Sequence, residues 1–203
     1  MGHINVLLIK LIIAEGTTMP MLQVNLLSGY SDALKERITH ALTAVTTRIT
    51  NANPETVSIW INEVEPNNYS RAGLTRHPAI EGVNPVALVH DYLMAMEQRD
   101  LDKAQGFLAK DFVMVFPSSG ELTSLSEVVT WSKDRYRFVK KTLLSTNVAY
   151  EMDKTIVFVN GTLYGEWPDG STFKDIRFID RFEICNDSLV RQDVWNDIAV
   201  VQR

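Results

Sequence analysis

The sequence predicts an α+β chain in two blocks, and three observations carry that prediction. Between Pro20 and Leu74 the apolar residues follow a strand, then a helix, then a second strand. From Pro85 onward helical patterns come first and strands follow, broken by pairs of turn residues, the order expected of an α+β domain. Between the blocks, Thr75–Asn84 contains Pro78 and Gly82, runs into Pro85 and has no periodicity, which suits a linker. The predicted organisation is a leader over 1–19, a small domain over 20–74, a linker over 75–84 and a larger domain over 85–203.

In the first block Met21–Leu27 reads as a strand and Gly29-Tyr30 as a turn. Ser31 then supplies an N-cap for a helix that carries Leu34, Ile38, Leu42, Val45 and Ile49 at spacings of three and four. Val57, Ile59 and Ile61 alternate with Ser58, Trp60 and Asn62, so a second strand follows. A helical crossover makes the two strands parallel neighbours. One helix on two strands is a thin core with one sheet face bare, so oligomerisation or docking is expected to cover it.

The second block opens with a helix over Pro85–Glu97, on which Val86, Val89, Tyr92, Leu93 and Met96 form one stripe. Asp100 caps a further turn over Leu101–Leu108, and a second helix is placed around Ser126–Thr142. Strands are then expected at Val148–Tyr150, Ile156–Tyr164, Thr172–Phe182 and Leu189–Val201, with Asn160-Gly161, Asp169-Gly170 and Asn186-Asp187 as hairpin turns.

Composition narrows the function. The 203 residues are 45% apolar and 22% charged, the balance of a packed globular chain. Twenty Lys and Arg against 25 Asp and Glu leave a net charge of -5 with no basic run, which argues against nucleic acid and anionic membranes as partners. The single cysteine, Cys185, has no internal disulfide partner and reads as a packing residue of a cytoplasmic protein. Ile4–Ala14 is apolar but interrupted by Lys10, too short to span a membrane and a poor secretory signal. His40 and His90 have no partner at a metal-ligand spacing, and no phosphate loop, nucleotide fingerprint or Ser-His-Asp order is present, so neither metal nor cofactor is expected.

The run Met19-Pro20-Met21-Leu22-Gln23-Val24-Asn25-Leu26-Leu27-Ser28-Gly29, the Ser31-Asp32 helix start, Pro54-Glu55-Thr56-Val57 and Ile61–Gly73 resemble the 4-oxalocrotonate tautomerase family. The resemblance implies an amino-terminal proline, freed by loss of the start methionine, acting as a general base. A secondary amine can carry a proton at neutral pH once its pKa is lowered, whereas a proline inside a chain is an amide and has no such basicity. Pro20 is internal as the sequence is written. Codons for Glu15-Gly16-Thr17-Thr18-Met19 allow a purine-rich stretch ahead of an ATG, which predicts translation from Met19; the rival reading is an extra strand over Ile4–Ile12. The family's two arginines fall at Tyr30 and about Ser58, so a substrate with two carboxylates is not implied. Arg71 or Arg76 is the candidate replacement cation, and Tyr69 matches the family's aromatic pocket position.

Tyr92–Asp102, Phe107–Phe112 and Asp175–Phe182 are similar to the nuclear transport factor 2-like superfamily, nearest to the SnoaL-like polyketide cyclases and ketosteroid isomerases. That resemblance implies a cone-shaped domain with a curved antiparallel sheet. It gives Tyr92 the place of an oxyanion-hole tyrosine and Asp180 that of a protonated oxyanion-hole acid, between Phe178 and Phe182 on one strand face. Pairing of Asp180 with Arg177 or Arg181 is the plainer alternative. Phe116 stands where the isomerase base belongs, and Asp193 and Asp197, on one face with Trp195, are the loose counterparts of a late-strand acid/base in the cyclases. Trp131, Tyr136, Trp167 and Trp195 are candidate pocket aromatics or core, and His90 is a further acid/base candidate.

Together these readings predict a cofactor-independent isomerase or tautomerase that moves a proton on a small apolar carbonyl or enol compound, as a homo-oligomer. Pro20, Tyr92 and Asp180 are the catalytic candidates, with Tyr30, Tyr69, Arg71, Phe116, Trp131, Trp167, Asp193 and Trp195 about the substrate. The alternatives are a non-catalytic ligand-binding and oligomerisation protein, or a SnoaL-like cyclase or isomerase with a degenerate first domain.

Overall fold

The computed structural model describes residues 13–14 and 17–201, so the leader strand expected over Ile4–Ile12 lies outside the described residues. Strands β1 (Ile13–Ala14) and β2 (Thr17–Thr18) pair antiparallel. The chain divides after Glu81 into two compact units.

The first unit is built as the pattern requires. Strand β3 (Met21–Leu27) and strand β4 (Ser58–Val64) pair in parallel, Leu22 opposite Ile59 and Val24 opposite Ile61, and helix α1 (Asp32–Thr50) crosses between them. Ser31 caps α1 by accepting the Leu34 N–H at 3.2 Å, and Asn51 ends it in the left-handed conformation. Alternation sends Leu22, Val24, Leu26, Ile59 and Ile61 to one face and leaves Gln23, Asn25, Trp60 and Asn62 exposed on the other. No residue of α1 is fully buried, and its predicted stripe fails at the C-terminal end, where Val45 and Ile49 stand in solvent. A short hairpin, β5 (Ser70–Arg71) with β6 (Leu74–Thr75), follows.

Thr75–Glu81 belongs to this unit and is no free linker. The Tyr30 hydroxyl accepts the Ala79 N–H at 3.0 Å, and the Glu81 carboxylate takes both the N–H and the hydroxyl of Ser31.

The second unit has α2 (Pro85–Glu97) capped by Asn84, α3 (Leu101–Gln105) capped by Asp100, and α4 (Leu125–Ser132) opened by a Ser124/Glu127 capping box. Six strands form one sheet: β7 (Leu108–Phe116), β8 (Gly120–Leu122), β9 (Phe138–Tyr150), β10 (Thr155–Glu166), β11 (Thr172–Cys185) and β12 (Ser188–Asn196). Their order is β8-β7-β12-β11-β10-β9, antiparallel except for the parallel pair β12 and β7. Its core joins Val89, Tyr92 and Leu93 of α2 to Met114, Val157, Phe178, Phe182 and Leu189 of the sheet. A short helix, α5 (Ile198–Val201), follows β12.

Four expectations need correction. The helix placed over 126–142 stops at Ser132, and from Phe138 the chain is already strand β9, tied to β10 through Arg137 N–H to the Glu166 carbonyl at 2.8 Å. Asn160-Gly161 is not a turn but lies inside β10, opposite a bulge at Leu144 of β9, and a Cβ on residue 161 would collide with the Thr142 carbonyl. Leu108–Phe116 is a full strand whose alternation of Phe112 and Met114 inward went unread. The last strand ends at Asn196. By contrast Asn186 and Asp187, both at positive φ, form the expected tight turn between β11 and β12.

Candidate functional site

Inside the second unit four side chains from four elements form a continuous polar chain. Tyr92 comes from α2, Gln192 from β12, Asp180 from β11 and Lys141 from β9, and the first three are 1%, 3% and 0% exposed. The Tyr92 hydroxyl donates to Gln192 Oε1 at 3.1 Å, Gln192 Nε2 donates to Asp180 Oδ2 at 3.2 Å, and Lys141 Nζ forms an ion pair with the same oxygen. The Lys141 ammonium also sits 4.4 Å from the centroid of the Phe178 ring. Tyr92 meets Phe112 and Phe182 edge-on, at centroid distances of 6.3 and 6.0 Å.

The direction of this chain is fixed by its ends. Burial, and then the charge of Asp180, push the Tyr92 hydroxyl well above the usual phenol range, so it stays protonated and donates. Gln192 must therefore turn its oxygen to Tyr92 and its amide nitrogen to Asp180. One group remains unmatched: Asp180 Oδ1 is sealed from solvent and has no hydrogen-bond partner. A buried acceptor left unpaired costs about 1–3 kcal/mol, more when it is charged.

Asp180 thus lies among aromatics as expected, but facing a cation. Neither Arg177 nor Arg181 is its partner, since both project to the other face of the sheet, where Arg177 pairs with Asp197 at 2.7 Å and Arg181 with Asp193 at 3.2 Å and Glu183 at 2.7 Å. Tyr92 and Asp180 come within one relay through Gln192, so neither is an unoccupied donor aimed at a ligand. Lys141 and Gln192 were not among the sequence candidates. Period-two reading of 138–142 would have put Lys141 on one face with Val139, and the alternation that pairs Asp193 with Trp195 sends Gln192 and Val194 the opposite way.

That opposite face carries a separate groove of about 840 Å³, floored by β10, β11 and β12 and lined by Val115, Phe116, Ile179, Asp193 and Trp195. Asp193 is held there by Arg181 and by Arg191 at 2.9 Å, so it is apart from the Tyr92 relay. Trp195 is half exposed opposite Ile179. Phe116 stacks on Trp131 at 4.9 Å, and the Arg135 guanidinium lies 4.0 Å from the Trp131 centroid. Trp167 packs on Phe173 at 4.3 Å against the core, and burial pushes the Tyr136 hydroxyl up. His90 Nε2 is 2.8 Å from Thr146 Oγ1.

In the first unit Pro20 is buried at the head of β3, and its carbonyl accepts the Ser58 N–H at 2.9 Å. Its nitrogen is in peptide linkage with Met19. Tyr69 and Arg71 are exposed about the β5 hairpin, Arg76 is exposed beyond it, and Tyr30 is engaged with Ala79. Among the described residues no cluster of three or more His, Cys, Asp or Glu is arranged to hold a metal ion. No described helix is long and apolar enough to cross a membrane.

Residues 20–77 match the family model of the tautomerase enzymes. No curated protein matches the chain. Among solved structures, an NTF2-like protein of unknown function from Burkholderia pseudomallei superposes with a TM-score of 0.51 at 17% identity, over 57% of this chain and 92% of that one. An NTF2-like protein from Burkholderia thailandensis gives 0.50 at 18% identity, over 59% and 95%. A protein described as a SnoaL-like polyketide cyclase from Jannaschia sp. CCS1 gives 0.45 at 13%, over 60% and 94%. Residues 20–77 are thus a tautomerase-family domain, and the chain continues into a domain of the NTF2-like fold.

Proposed function

We propose that the protein is a cofactor-independent isomerase of the tautomerase type, moving a proton between oxygen and carbon of a small apolar keto–enol compound. The observation that carries this reading is the tautomerase match over 20–77, which begins at Pro20, the residue that heads β3 and is buried against β4. In a chain that starts at Pro20 the nitrogen is a secondary amine in a partly apolar setting. It takes the proton of the enol hydroxyl and returns it to the carbon, as a general base must. With Tyr30 and Ser58 in place of cations, the substrate carries fewer carboxylates than a dianionic keto acid.

The test compares two proteins on phenylenolpyruvate: one beginning at Pro20 and one retaining residues 1–19. Ketonisation is expected only from the first, with loss of at least a hundredfold in its Pro20→Ala variant, a typical share for general acid–base catalysis. Equal rates in the chain from Pro20 and its Pro20→Ala variant would refute it.

A second reading, a small-molecule site within the NTF2-like unit, is favoured by one observation, the donor missing at Asp180 Oδ1.

A further inference from the structure

We propose that Arg99, Arg135 and Tyr136 form a binding site for the carboxylate of a small organic acid on the second unit, apart from the Tyr92 relay and independent of the Pro20 chemistry. The first observation is how the arginines of that unit are partnered. Arg137 pairs with Glu166, Arg177 with Asp197, Arg181 with Glu183 and Asp193, and Arg191 with Asp193 and Glu121. Arg99 and Arg135 have no carboxylate within ion-pair distance among the described residues, although the chain holds 25 Asp and Glu against 20 Lys and Arg.

The two meet at one place. Glu97, the last residue of α2, binds Lys140 at 3.7 Å and accepts the Lys141 N–H at 3.4 Å, which seats the end of α2 beside the start of β9. Arg99 stands two residues past Glu97, and Arg135 and Tyr136 stand just ahead of β9. Both guanidinium charges act on the Tyr136 hydroxyl: burial pushes it up, against the pull of Arg99, of a hydrogen bond with Ser132 and of Arg135. The phenol keeps its proton and is a donor between two cations.

Local geometry fits a binding role. Arg99 occupies the left-handed position just past α2, at φ 60°, where glycine is the usual residue and a side chain is strained. Arg135 lies over the Trp131 ring, 4.0 Å from its centroid, and Trp131 stacks in turn on Phe116 at 4.9 Å, so the guanidinium is held from behind with no carboxylate on its N–H groups. Neighbouring acids are committed elsewhere, Glu97 to Lys140 and the Lys141 N–H, and Asp100 to the Lys103 N–H at the start of α3. Arg99 is exposed and Arg135 partly so, which leaves the site open to solvent. A planar carboxylate matches the two-pronged guanidinium fork, and the Tyr136 O–H adds a neutral donor.

The experiment titrates the full chain with sodium benzoate at constant ionic strength, following the Trp131 indole N–H and the arginine Nε–H resonances. Saturable shifts are expected in the parent. Arg135→Lys, which keeps the charge but loses the fork, and Arg99→Gln are each expected to weaken binding by about tenfold, and Tyr136→Phe by about threefold. Arg177→Gln, at an exposed arginine already paired with Asp197, is expected to leave it unchanged. The Trp167 and Trp195 indole resonances check that each variant is folded. No saturation in the folded parent, or an Arg99→Gln/Arg135→Gln double variant that binds benzoate as the parent does, would overturn the site. An equal loss in Arg177→Gln would also overturn it, since the probe would then be reading overall charge. Inorganic phosphate binding more tightly than benzoate would overturn the choice of a carboxylate.

Discussion

The two units give a half-covered lysine opposite partners, exposed carboxylates in the first and a sealed one in the second. In the first, Lys35 of α1 bridges Asp32 and Glu63, each at 3.0 Å, on a helix with no fully buried residue. In the second, Lys141 reaches an aspartate that is completely buried, inside a core whose largest sealed side chains include Tyr92 and Phe182. An exposed ion pair exchanges one set of water contacts for another and contributes little. A buried one is held because removing either member strands the other away from water. The first unit thus keeps its ion pairs at the surface, and the second holds one against its core.

The sharpest way to break that contrast is to remove each lysine. Lys141→Met is expected to destabilise the second unit by about 3–5 kcal/mol in denaturant unfolding, because Asp180 loses its ion partner while buried. Lys35→Met should leave the unfolding midpoint of the first unit in place. Trp60 reports on the first unit and Trp131, Trp167 and Trp195 on the second, so single-tryptophan backgrounds read each separately. Equal losses in both variants would erase the distinction.

Truncation of apolar residues sharpens the comparison from the other side. Phe182→Ala, at a site with no solvent exposure, is expected to cost about 3–5 kcal/mol. Ile49→Ala, at a site 80% exposed on α1, is expected to fall within about 0.5 kcal/mol of the parent. A larger loss at Ile49 in a dissociable assembly would show that a second copy covers this helix.

A smaller effect follows from Tyr92. Burial holds its hydroxyl above the ordinary value of 10.0, so the folded state keeps the proton after the unfolded chain has begun to lose it. Its contribution is complete below that value and is lost as pH rises beyond it. Stability measured between about pH 9 and about pH 11 should fall, and the slope should flatten in Tyr92→Phe.

Much of this architecture was legible in local patterns. Ser31 and Asp100 announced helix starts, and Leu22-Val24-Leu26 with Ile59-Ile61 announced a parallel pair, because caps and alternation act over a few residues. The relay was legible only in part. Tyr92 and Asp180 stood out, but Gln192 lies 100 residues from Tyr92 and Lys141 lies 39 from Asp180, so their meeting depends on sheet order. The misread start of β9 hid Lys141, since a helical reading of 138–142 sends its side chain elsewhere than the strand does. Asn160-Gly161 misled because the same dipeptide serves a turn and a close backbone approach, and only the neighbouring strand decides which.

The central claim, proton transfer by Pro20, is tested most directly by the intact mass of the protein purified untagged from its own cells. A mass equal to that of a chain beginning at Pro20 is the predicted result, and it puts a free secondary amine at the head of β3. A mass that includes residues ahead of Pro20 would contradict the claim, because the nitrogen would then be an amide with no proton to carry.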